Sequence, residues 1–408
     1  MKKLSKVLAV VLVLAVAAAL CVALTACKDK EEVELTVGLI CLHDNNSTYD
    51  KNFIAAMEEV EAATKVKVIY KYNIPEENAC YEAAVDLVDQ GCNIIFADSF
   101  GHEPYMMEAA KKYPNVQFCH ATGTNAHTAG IANFHNAFAS IYEGRYLAGI
   151  AAGLKLNEMI AAGKFTAAEA KMGYVGAYTY AEVMSGYTSF YLGAKSVCPT
   201  VTMDVTFTGS WYNEDLERQG AQTLIARGCK LISQHADSMG APTACEKAGV
   251  PNVSYNGSTK ADCPNTFIVS SRINWAPYYT YVINAVREAK KNGTAPKIEK
   301  DWTGTIATGS VVLTEVNATA AAAGTQEAIN NAKAAIENGT LKIFDTSKFT
   351  VKGQPLTSYM ADVDTDADYT PDTQVVINGI FEESKFRSAP YFNVEIDGIT
   401  LLDRNYGN

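Results

Sequence analysis

The segment 66–98, VKVIYKYNIPEENACYEAAVDLVDQGCNIIFAD, decides the fold of this chain. Its two ends, VKVIYKY and CNIIFAD, are short apolar runs of the kind that form buried strands. Between them, apolar residues from Asn78 to Gln90 recur three and four positions apart, which predicts a helix, and Gly91 follows as a typical helix terminator. A strand, a helix and a second strand in succession predict a parallel sheet that helices cover on both faces.

The same alternation extends in both directions and occurs twice along the chain. A long helix predicted over Ala137–Leu154 separates the two series. We therefore expect an α/β fold with two doubly wound parallel-sheet lobes that are joined by a hinge around a cleft. An alanine-rich helix is predicted over 317–339, and a tail extends from about 342. The predicted boundaries place residues 35–136 and 270–310 in the N-terminal lobe, and residues 137–269 and 311–408 in the C-terminal lobe with its tail extension.

Residues 1–34 indicate an export signal and a tether. Three lysines precede an apolar run that ends at Ala26, as in secretory signals. The run is also about long enough to span a bilayer, so an uncleaved anchor helix is the alternative. Its exit, LTAC at 24–27, resembles the lipobox of bacterial lipoproteins, in which the cysteine carries the lipid. We expect a signal peptide over 1–26, a lipid anchor at Cys27, a tether over 27–34, and an extracytoplasmic protein anchored to the cell membrane.

The charge of the chain excludes some classes of partner. The sequence has 34 basic and 45 acidic residues and a formal net charge of −11. Cleavage after residue 26 would remove three lysines and no acid, which lowers the net charge to −14. This excess of acid argues against binding of nucleic acid or of a strongly anionic ligand. It favours a neutral or weakly polar small ligand.

Eight cysteines follow Cys27, and their spacing contains no C-x-x-C pair. Zinc and thioredoxin-like sites therefore have no support, and we expect no metal. An exported protein with an even number of cysteines can form disulfides. Several of these residues, however, lie in apolar stretches such as GLICL and VQFCH, which suit buried free thiols equally well. The sequence leaves both states open.

Five segments carry a resemblance to a known family. They are, in chain order, GCNIIFADSFGHEPYMMEAAKKYPNVQFCHATG, IYEGRYLAGIAAG, GSWYN, LISQHADS and RINWAPYY. Together they resemble the BMP family, also called PnrA-like or basic membrane lipoproteins, over roughly residues 35–341. The resemblance implies a periplasmic binding protein type I fold and a substrate-binding lipoprotein of an ABC importer for nucleosides or related bases. It also implies an ABC permease as partner and hinge closure on the ligand. We expect a monomer without enzymatic activity or cofactor.

A nucleoside site needs aromatic faces for stacking and polar groups for the base edge and the ribose hydroxyls. The resemblance assigns Tyr49 to stacking and Asp50 to the base edge, although this loop departs from the commoner SFNQ form. The loop after the third strand, ADSFG, supplies Ser99, Phe100 and Gly101. These residues would bring a hydroxyl and backbone amides to the floor of the cleft.

The second half of the chain supplies the opposite wall of the predicted cleft. Trp211 of GSWYN directly follows a strand, where the family places its second stacking aromatic, and Tyr178 is a further aromatic candidate. Asp237 and Asn256 both follow strands and suit ribose hydroxyls; the family often has Asp in place of Asn256. The segment that returns between the lobes adds two further candidate ligand-binding residues, Asn274 and Trp275.

Other features have simpler interpretations. His235 and Asp237 are too few to hold a metal ion. Arg145 lies in a helix whose closely spaced small residues indicate tight helix packing, so we do not assign it to a basic patch.

Two alternative functions remain open. One is a lipoprotein that senses a ligand in the same cleft and signals to a membrane partner. The other is an exported nucleoside hydrolase, for which the acids Asp44, Asp50 and Asp237 are few and scattered.

Overall fold

The computed structural model describes residues 34–363 and 370–404. The predicted signal peptide, the lipid anchor at Cys27 and the tether up to residue 33 lie outside the described residues. The helices are α1 (Thr48–Thr64), α2 (Asn78–Asp89), α3 (Glu103–Lys112), α4 (Ile141–Ala161), α5 (Ala181–Val197), α6 (Glu214–Ala226), α7 (Gly240–Ala248), α8 (Ala276–Asn292) and α9 (Thr325–Glu337). The longer strands are β1 (Thr36–Ile40), β2 (Lys67–Lys71), β3 (Ile94–Ala97), β4 (Gln117–Ala121), β5 (Phe134–Ala139), β6 (Lys171–Gly176), β7 (Thr202–Phe207), β8 (Leu231–Gln234), β9 (Asn252–Tyr255), β10 (Phe267–Ile273), β11 (Asp301–Gly304) and β12 (Val311–Leu313). The tail adds β13 (Thr350–Val351), β14 (Gln354–Pro355), β15 (Met360–Ala361), β16 (Thr373–Gln374), β17 (Val376–Ile377), β18 (Ile380–Phe381) and β19 (Ile399–Leu401).

The first lobe is a parallel sheet of six strands in the order β11-β5-β4-β3-β1-β2. Alternate residues of its strands point to opposite faces, and helices cover both. Leu39 packs with Phe53 of α1 and Val282 of α8 on one face. Ile40 packs with Leu87 of α2 and with α3 on the other. The segment that predicts the fold forms β2, α2 and β3 of this sheet.

The second lobe repeats this arrangement around a sheet of seven strands in the order β12-β10-β9-β8-β6-β7-β19. All of its pairs are parallel except β10 with β12. The predicted fold of two parallel-sheet lobes is confirmed. Because β10 begins at Phe267 and β5 ends at Ala139, the predicted lobe boundaries at 270 and 136 each fall inside a strand.

The chain crosses between the lobes after β5, after β10 and after β11. Asn274 lies in the second crossover and bonds to the third. Its backbone N–H donates to the carbonyl of Ser310 at 2.8 Å, and its side-chain amide donates to the carbonyl of Gly309 at 3.2 Å. These bonds join the second and third connections between the lobes, which together form a hinge.

Helices α4 and α5 cross at very short range because glycine stands at the contact. A Cβ built on Gly149 would lie 2.0 Å from the carbonyl oxygen of Phe190, and one built on Gly193 would lie 2.0 Å from that of Tyr146. The predicted tight packing of the IYEGRYLAGIAAG helix is confirmed.

Two predicted helices have different limits in the structure. The helix expected from Ala137 begins at Ile141, because the preceding residues pair with β4 and β11 as strand β5. The helix expected over 317–339 spans Thr325–Glu337, since Gly324 before it has a positive φ of 78°. Residues before Gly324 are held in turns, where the Asn317 side chain donates to the carbonyl of Phe267.

The tail connects both lobes along one side. Strand β19 adds a parallel edge to the second sheet beside β7. Ser388 donates from its backbone N–H to Asp301 of β11 in the first sheet at 2.8 Å. Between these points, Phe344, Phe381 and Phe392 pack together in a small core of the tail.

All eight cysteines after Cys27 are free and buried. Within 34–363 and 370–404, no helix combines the length and the apolar character needed to cross a membrane.

Candidate ligand-binding site

A cavity lies between the two lobes, where the carboxyl ends of both sets of strands meet. The space between its lining atoms, counted together with the part that is open to solvent, is about 380 Å³. Its lining residues are Leu42, His43, Tyr49, Asp50, Ser99, Phe100 and Thr122 from the first lobe, and Glu182, Trp211, His235 and Asp237 from the second.

Aromatic rings form a continuous series from one lobe to the other. Trp211 meets Tyr178 edge to face, with ring centroids 4.9 Å apart, and Tyr178 stacks on Tyr180 at 5.1 Å. Tyr180 in turn lies 5.6 Å from Phe100, which belongs to the first lobe and is 42% exposed. Trp211 and Phe100, the two ends of the series, both line the cavity.

The side chain of Tyr49 is fixed by contacts within the first lobe. It sits at the start of α1, its hydroxyl donates to the carbonyl of Asp98 at 2.7 Å, and its ring packs on Phe53 with centroids 4.9 Å apart. Since the ring also lines the cavity, it presents a fixed apolar surface there.

Asp50, which lines the cavity, and Asp98, which does not, form a buried pair of carboxyl groups. One oxygen of Asp50 accepts the backbone N–H of His43 at 2.8 Å, and one of Asp98 accepts that of Leu42 at 3.0 Å. Oδ2 of Asp50 lies 3.5 Å from Nδ1 of His43, and Oδ2 of Asp98 has no hydrogen-bond partner among the described residues. Burial, and then the charge of Asp50, raises the pKa of Asp98 well above its ordinary range. Burial would also raise the pKa of Asp50, but hydrogen bonds from His43 and the start of α1 outweigh it and lower that pKa. Asp98 therefore keeps its proton, and Asp50 carries the charge.

The Cys41 thiol lies beside this pair, and one ligand-type atom of each of the three residues falls within 4.8 Å of the others. Burial, followed by the nearby Asp98, raises the pKa of Cys41 well above its ordinary range. A metal ion bound there would have to displace the protons of both Cys41 and Asp98, so its affinity would decrease as the pH is lowered.

Asp237 lies on the opposite wall and contacts the first lobe. Its backbone carbonyl accepts the N–H and the hydroxyl of Thr48 at 3.1 and 3.0 Å, and its own N–H donates to the carbonyl of Trp211 at 3.0 Å. Burial, followed by the carboxylates of Glu217 and Asp50, raises the pKa of Asp237 well above its ordinary range. A neutral Asp237 can donate as well as accept a hydrogen bond.

The lobes meet along the rim of the cavity. The Asn52 amide of α1 donates to the Asn256 side-chain oxygen at 3.0 Å, and the Asn256 amide donates to Asp237 at 3.3 Å. Together with the bonds from Thr48, these contacts connect α1 to two loops of the second lobe. The structure is therefore a closed form.

Glu217 fixes the loops that carry the second-lobe residues. Its carboxylate accepts the N–H of Asn213 at 3.0 Å and that of Ser238 at 3.1 Å, which ties the Trp211 loop to the Asp237 loop. Burial raises the pKa of Glu217 to about 7, and the hydrogen bonds from Ser238 and Asn213 oppose this increase.

The structure brings together Tyr49, Asp50, Ser99, Phe100, Trp211 and Asp237 of the predicted site. Ser99 lines the cavity, but its hydroxyl donates to Glu76 at 2.6 Å, and the N–H of Gly101 donates to the same oxygen at 2.7 Å. The predicted hydroxyl and amide donors are therefore already bonded to Glu76 within the first lobe.

Five predicted residues lie outside the cavity lining. Tyr178 supports Trp211 from behind, Asn256 bonds across the rim, and Asn274 joins two crossovers of the hinge. Trp275 is buried in the first lobe, where it stacks on Phe53 with centroids 4.4 Å apart. Gly101 contacts Glu76, as described above.

The sequence interpretation did not assign five lining residues to the site: Leu42, His43, Thr122, Glu182 and His235. Thr122 and His235 directly follow β4 and β8, and Leu42 and His43 lie in the loop after β1, so the rule that ligands meet strand ends could have found these four. Glu182 lies in the first turn of α5, beyond the loop that follows β6. Its Oε1 lies 3.4 Å from Nε2 of His235.

A family model described as ABC transporter substrate-binding protein, PnrA-like, matches residues 41–343. The chain belongs to this family. The resemblance stated from the sequence is therefore confirmed, and this PnrA-like protein is a substrate-binding protein of an ABC transporter family. Its matched region ends before most of the tail.

Two curated relatives share moderate identity with the PnrA-like chain. A purine-binding protein of Brucella abortus is 32% identical over 252 residues, which are 61% of this chain and 67% of that protein. A putative ABC transporter glucose-binding protein of Haloferax volcanii is 30% identical over 196 residues, which are 48% of this chain and 46% of that protein.

Two solved structures agree in fold. An ABC transporter solute-binding protein of Conexibacter woesei has a TM-score of 0.60 at 18% identity and covers 76% of this chain and 98% of its own. One of Aeropyrum pernix has a TM-score of 0.62 at 14% identity and covers 82% and 95%. The fold is thus the type I fold of periplasmic binding proteins, and proteins of this class bind small molecules outside the cytoplasm.

Proposed function

We propose that this protein captures a nucleoside or a nucleobase-like ligand between its lobes and delivers it to an ABC importer. In this proposal, Trp211 from the second lobe and Tyr49 and Phe100 from the first provide the aromatic surfaces. Asp50 and Asp237 provide hydrogen bonds to the base edge and the ribose. No bond of the ligand is made or broken.

The observation that carries the proposal is the set of side chains that the two lobes contribute to the cavity between them. A planar ligand with polar edges needs aromatic surfaces and a few fixed polar groups, and stacking contributes about 1–3 kcal/mol per base. Tyr49, Phe100 and Trp211 line the cavity together with Asp50 and Asp237. The purine-binding relative from Brucella abortus supports the same class of ligand.

Ligand capture would use the hinge. A ligand that contacts both lobes favours the closed form by its higher affinity for that form, and the lobes separate again when it leaves. The bonds from Thr48 to Asp237 and from Asn52 to Asn256 would form on closure.

The direct test identifies the ligand without assuming its class. The purified protein is denatured, and the released small molecules are identified by mass spectrometry. The stripped and refolded protein is then titrated by calorimetry with inosine, guanosine, adenosine, hypoxanthine and glucose. We expect a purine nucleoside or base to be released and to rebind, whereas release and rebinding of a sugar would overturn the proposal. Chromatography of the inosine mixture should show no free base.

We also propose that the chain is exported and anchored by a lipid on Cys27, and that it works as a monomer beside its permease. The LTAC sequence at 24–27 supports the anchor. The Cys27→Ala variant should lose the acyl group in the mass spectrum of the membrane fraction, and an acyl group in that variant would contradict the assignment.

A further inference from the structure

Arg145 of α4 is a buried cation next to the ligand cavity. It is 1% exposed, its Nη1 donates to the carbonyl of Gln234 at 2.9 Å, and its guanidinium carbon lies 3.2 Å from the centroid of the Tyr255 ring. Among residues 34–363 and 370–404, no acidic side chain forms an ion pair with it. A buried charge needs compensation, and the Gln234 carbonyl and the Tyr255 ring provide part of it.

His235 lies between Arg145 and the acid Glu182. Its Nδ1 lies 3.1 Å from Nη2 of Arg145, and its Nε2 lies 3.4 Å from Oε1 of Glu182. A guanidinium group can only donate hydrogen bonds, so Nδ1 must be the acceptor. In a neutral imidazole the other nitrogen then carries the proton, which here faces the Glu182 carboxylate.

We propose that Arg145 is a positioning residue of the ligand site: it holds His235 in the neutral tautomer protonated on Nε2, which orients Glu182 to accept a hydrogen bond from the ligand. Arg145 does not line the cavity, whereas His235 and Glu182 both do. The 3.4 Å contact with His235 involves one oxygen of Glu182 and leaves acceptor positions of the carboxylate for an N–H or O–H group. This proposal rests on the proposed function, and in it Glu182 accepts a hydrogen bond from an N–H or O–H group of the nucleoside.

The surroundings of His235 support a neutral ring. Burial lowers the pKa of His235, the charge of Arg145 from α4 lowers it further, and the hydrogen bond to Glu182 from α5 opposes both. The Tyr255 ring of β9 lies 4.9 Å from the imidazole, and Asp237 follows in the same loop. A proton on Nδ1 would face the Arg145 guanidinium directly, so the ring should remain neutral through the physiological range.

Nitrogen NMR on the protein without ligand tests the tautomer. The protein is labelled with ¹⁵N-histidine and stripped of ligand, and the His235 signals are assigned by their loss in the His235→Gln variant. We expect Nε2 to carry the proton and the ring not to titrate between pH 5.5 and 8. A proton on Nδ1, or titration near the ordinary pKa of about 6.5, would overturn the proposal. This result does not depend on which ligand binds.

Two variants of Arg145 separate positioning from packing. Arg145→Met keeps an apolar stem but removes every hydrogen-bond donor, so His235 should take up a proton between pH 5.5 and 8. The Kd for inosine should then increase about tenfold at pH 6 and less at pH 8. Arg145→Lys keeps the charge and should restore part of the affinity. A merely structural role would lower stability without a new pH dependence, and an unchanged pH profile in Arg145→Met contradicts the proposal.

Glu182→Gln provides a second route if Arg145→Met does not fold. It should leave the His235 tautomer unchanged and weaken inosine binding about tenfold. Unchanged affinity would show that Glu182 does not accept a bond from the ligand. If wild-type protein binds none of inosine, guanosine, adenosine and hypoxanthine while the tautomer is as expected, the proposed ligand class fails and the effect of Arg145 on the His235 tautomer stands.

Discussion

Trp211 has the largest aromatic surface in the cavity lining, and its position depends on three neighbours. Tyr178 packs against its ring, its carbonyl accepts the N–H of Asp237, and Glu217 ties the two loops together. The side chain is thus held without help from a ligand, which reduces the entropic cost of binding.

The Trp211→Ala variant should weaken nucleoside binding more than about tenfold, because it removes a stacking surface that contributes about 1–3 kcal/mol. Calorimetric titration with the ligand that co-purifies checks this. Tyr72→Ala is the matched control, since Tyr72 is an exposed aromatic residue outside the cavity lining. Equal affinity of Trp211→Ala and the control would rule out stacking by Trp211.

Asp237→Ala should reduce affinity for inosine more than for hypoxanthine, because the proposed role of Asp237 is to bond the ribose. The two compounds share the base, so the ratio of their dissociation constants isolates the sugar. Losses of equal size for both compounds would mean that Asp237 does not contact the ribose and acts instead through its bonds to Thr48 and Asn256.

At the scale of elements, the crossing of α4 and α5 shows how small residues position the site. Arg145 and Gly149 lie one turn apart on α4, and the close approach at Gly149 brings α5, which carries Glu182, near α4. A wider crossing would separate Arg145, His235 and Glu182, whose contacts are 3.1 and 3.4 Å.

Gly149→Ala should therefore lower the free energy of unfolding by at least about 1–3 kcal/mol, because its Cβ would lie 2.0 Å from a backbone carbonyl oxygen that cannot rotate away. Urea denaturation measures this. Gly220→Ala is the matched control in α6, since its Cβ would meet only side-chain carbons at 3.3 Å or more. The control should be neutral or gain up to about 1 kcal/mol from helix propensity. An equal response of both variants would contradict the packing argument.

The limits of two helices illustrate what local patterns miss. Alanine-rich sequence favours a helix throughout 317–339, but Asn317 donates to the carbonyls of Pro264 and Phe267 and holds the first residues of this stretch in turns. Similarly, FHNAFA at 134–139 has little strand character by itself and becomes a strand because it lies between β4 and β11. Both differences depend on partners distant in the chain.

At the scale of the whole molecule, contacts across the cleft stabilise the closed form. Asn52 of the first lobe is buried and bonds to Asn256 of the second at 3.0 Å, and neither residue lines the cavity. The bond therefore connects the lobes without contacting the proposed ligand.

Asn52→Ala should weaken binding of the co-purified ligand about three- to tenfold, because the closed form loses a hydrogen bond of about 0.5–1.5 kcal/mol. Calorimetry measures the affinity, and small-angle scattering measures the fraction of closed protein at saturation. Asn46→Ala, at an exposed asparagine of the preceding loop, should leave both unchanged. An Asn52→Ala protein with wild-type affinity and scattering would contradict a role in closure.

Buried acids make the stability of the folded protein depend on pH. Burial raises the pKa of Glu143 and of Glu383 from 4.5 to about 7 in each case. Between pH 4.5 and pH 7 the folded state keeps protons on these two acids that the unfolded state releases. The contribution of the two acids to the free energy of unfolding is therefore fully present below about pH 4.5 and is lost as the pH rises through 7. Burial lowers the pKa of His102 and His135 to about 4, so these two histidines make the free energy of unfolding rise as the pH rises. The effect of the acids is therefore measured as the difference between each variant and wild type.

The Glu383→Gln and Glu143→Gln variants should match wild-type stability at pH 5 and exceed it by about 1–3 kcal/mol at pH 8, because glutamine has the shape of the protonated acid and cannot ionise. Urea unfolding at both pH values measures the difference. Glu108→Gln, at an exposed glutamate of α3, should show no such dependence. A variant that is less stable than wild type at pH 8 would reverse the assigned sign.

The two parallel-sheet lobes and the family could be predicted from the sequence alone, because strand and helix periodicities are local and because five family segments occur in order. The sequence also placed Tyr49, Asp50, Ser99, Phe100, Trp211 and Asp237 at one cavity, since the carboxyl ends of parallel strands share an edge. Other roles became visible in the tertiary structure. Trp275 packs in the core of the first lobe, and Asn256 bonds across the rim of the cavity. Glu76 accepts the hydrogen bonds of Ser99 and Gly101, and His235 lies between Arg145 and Glu182. Those roles depend on hydrogen bonds and ring contacts between residues far apart in the chain, and no local pattern encodes them.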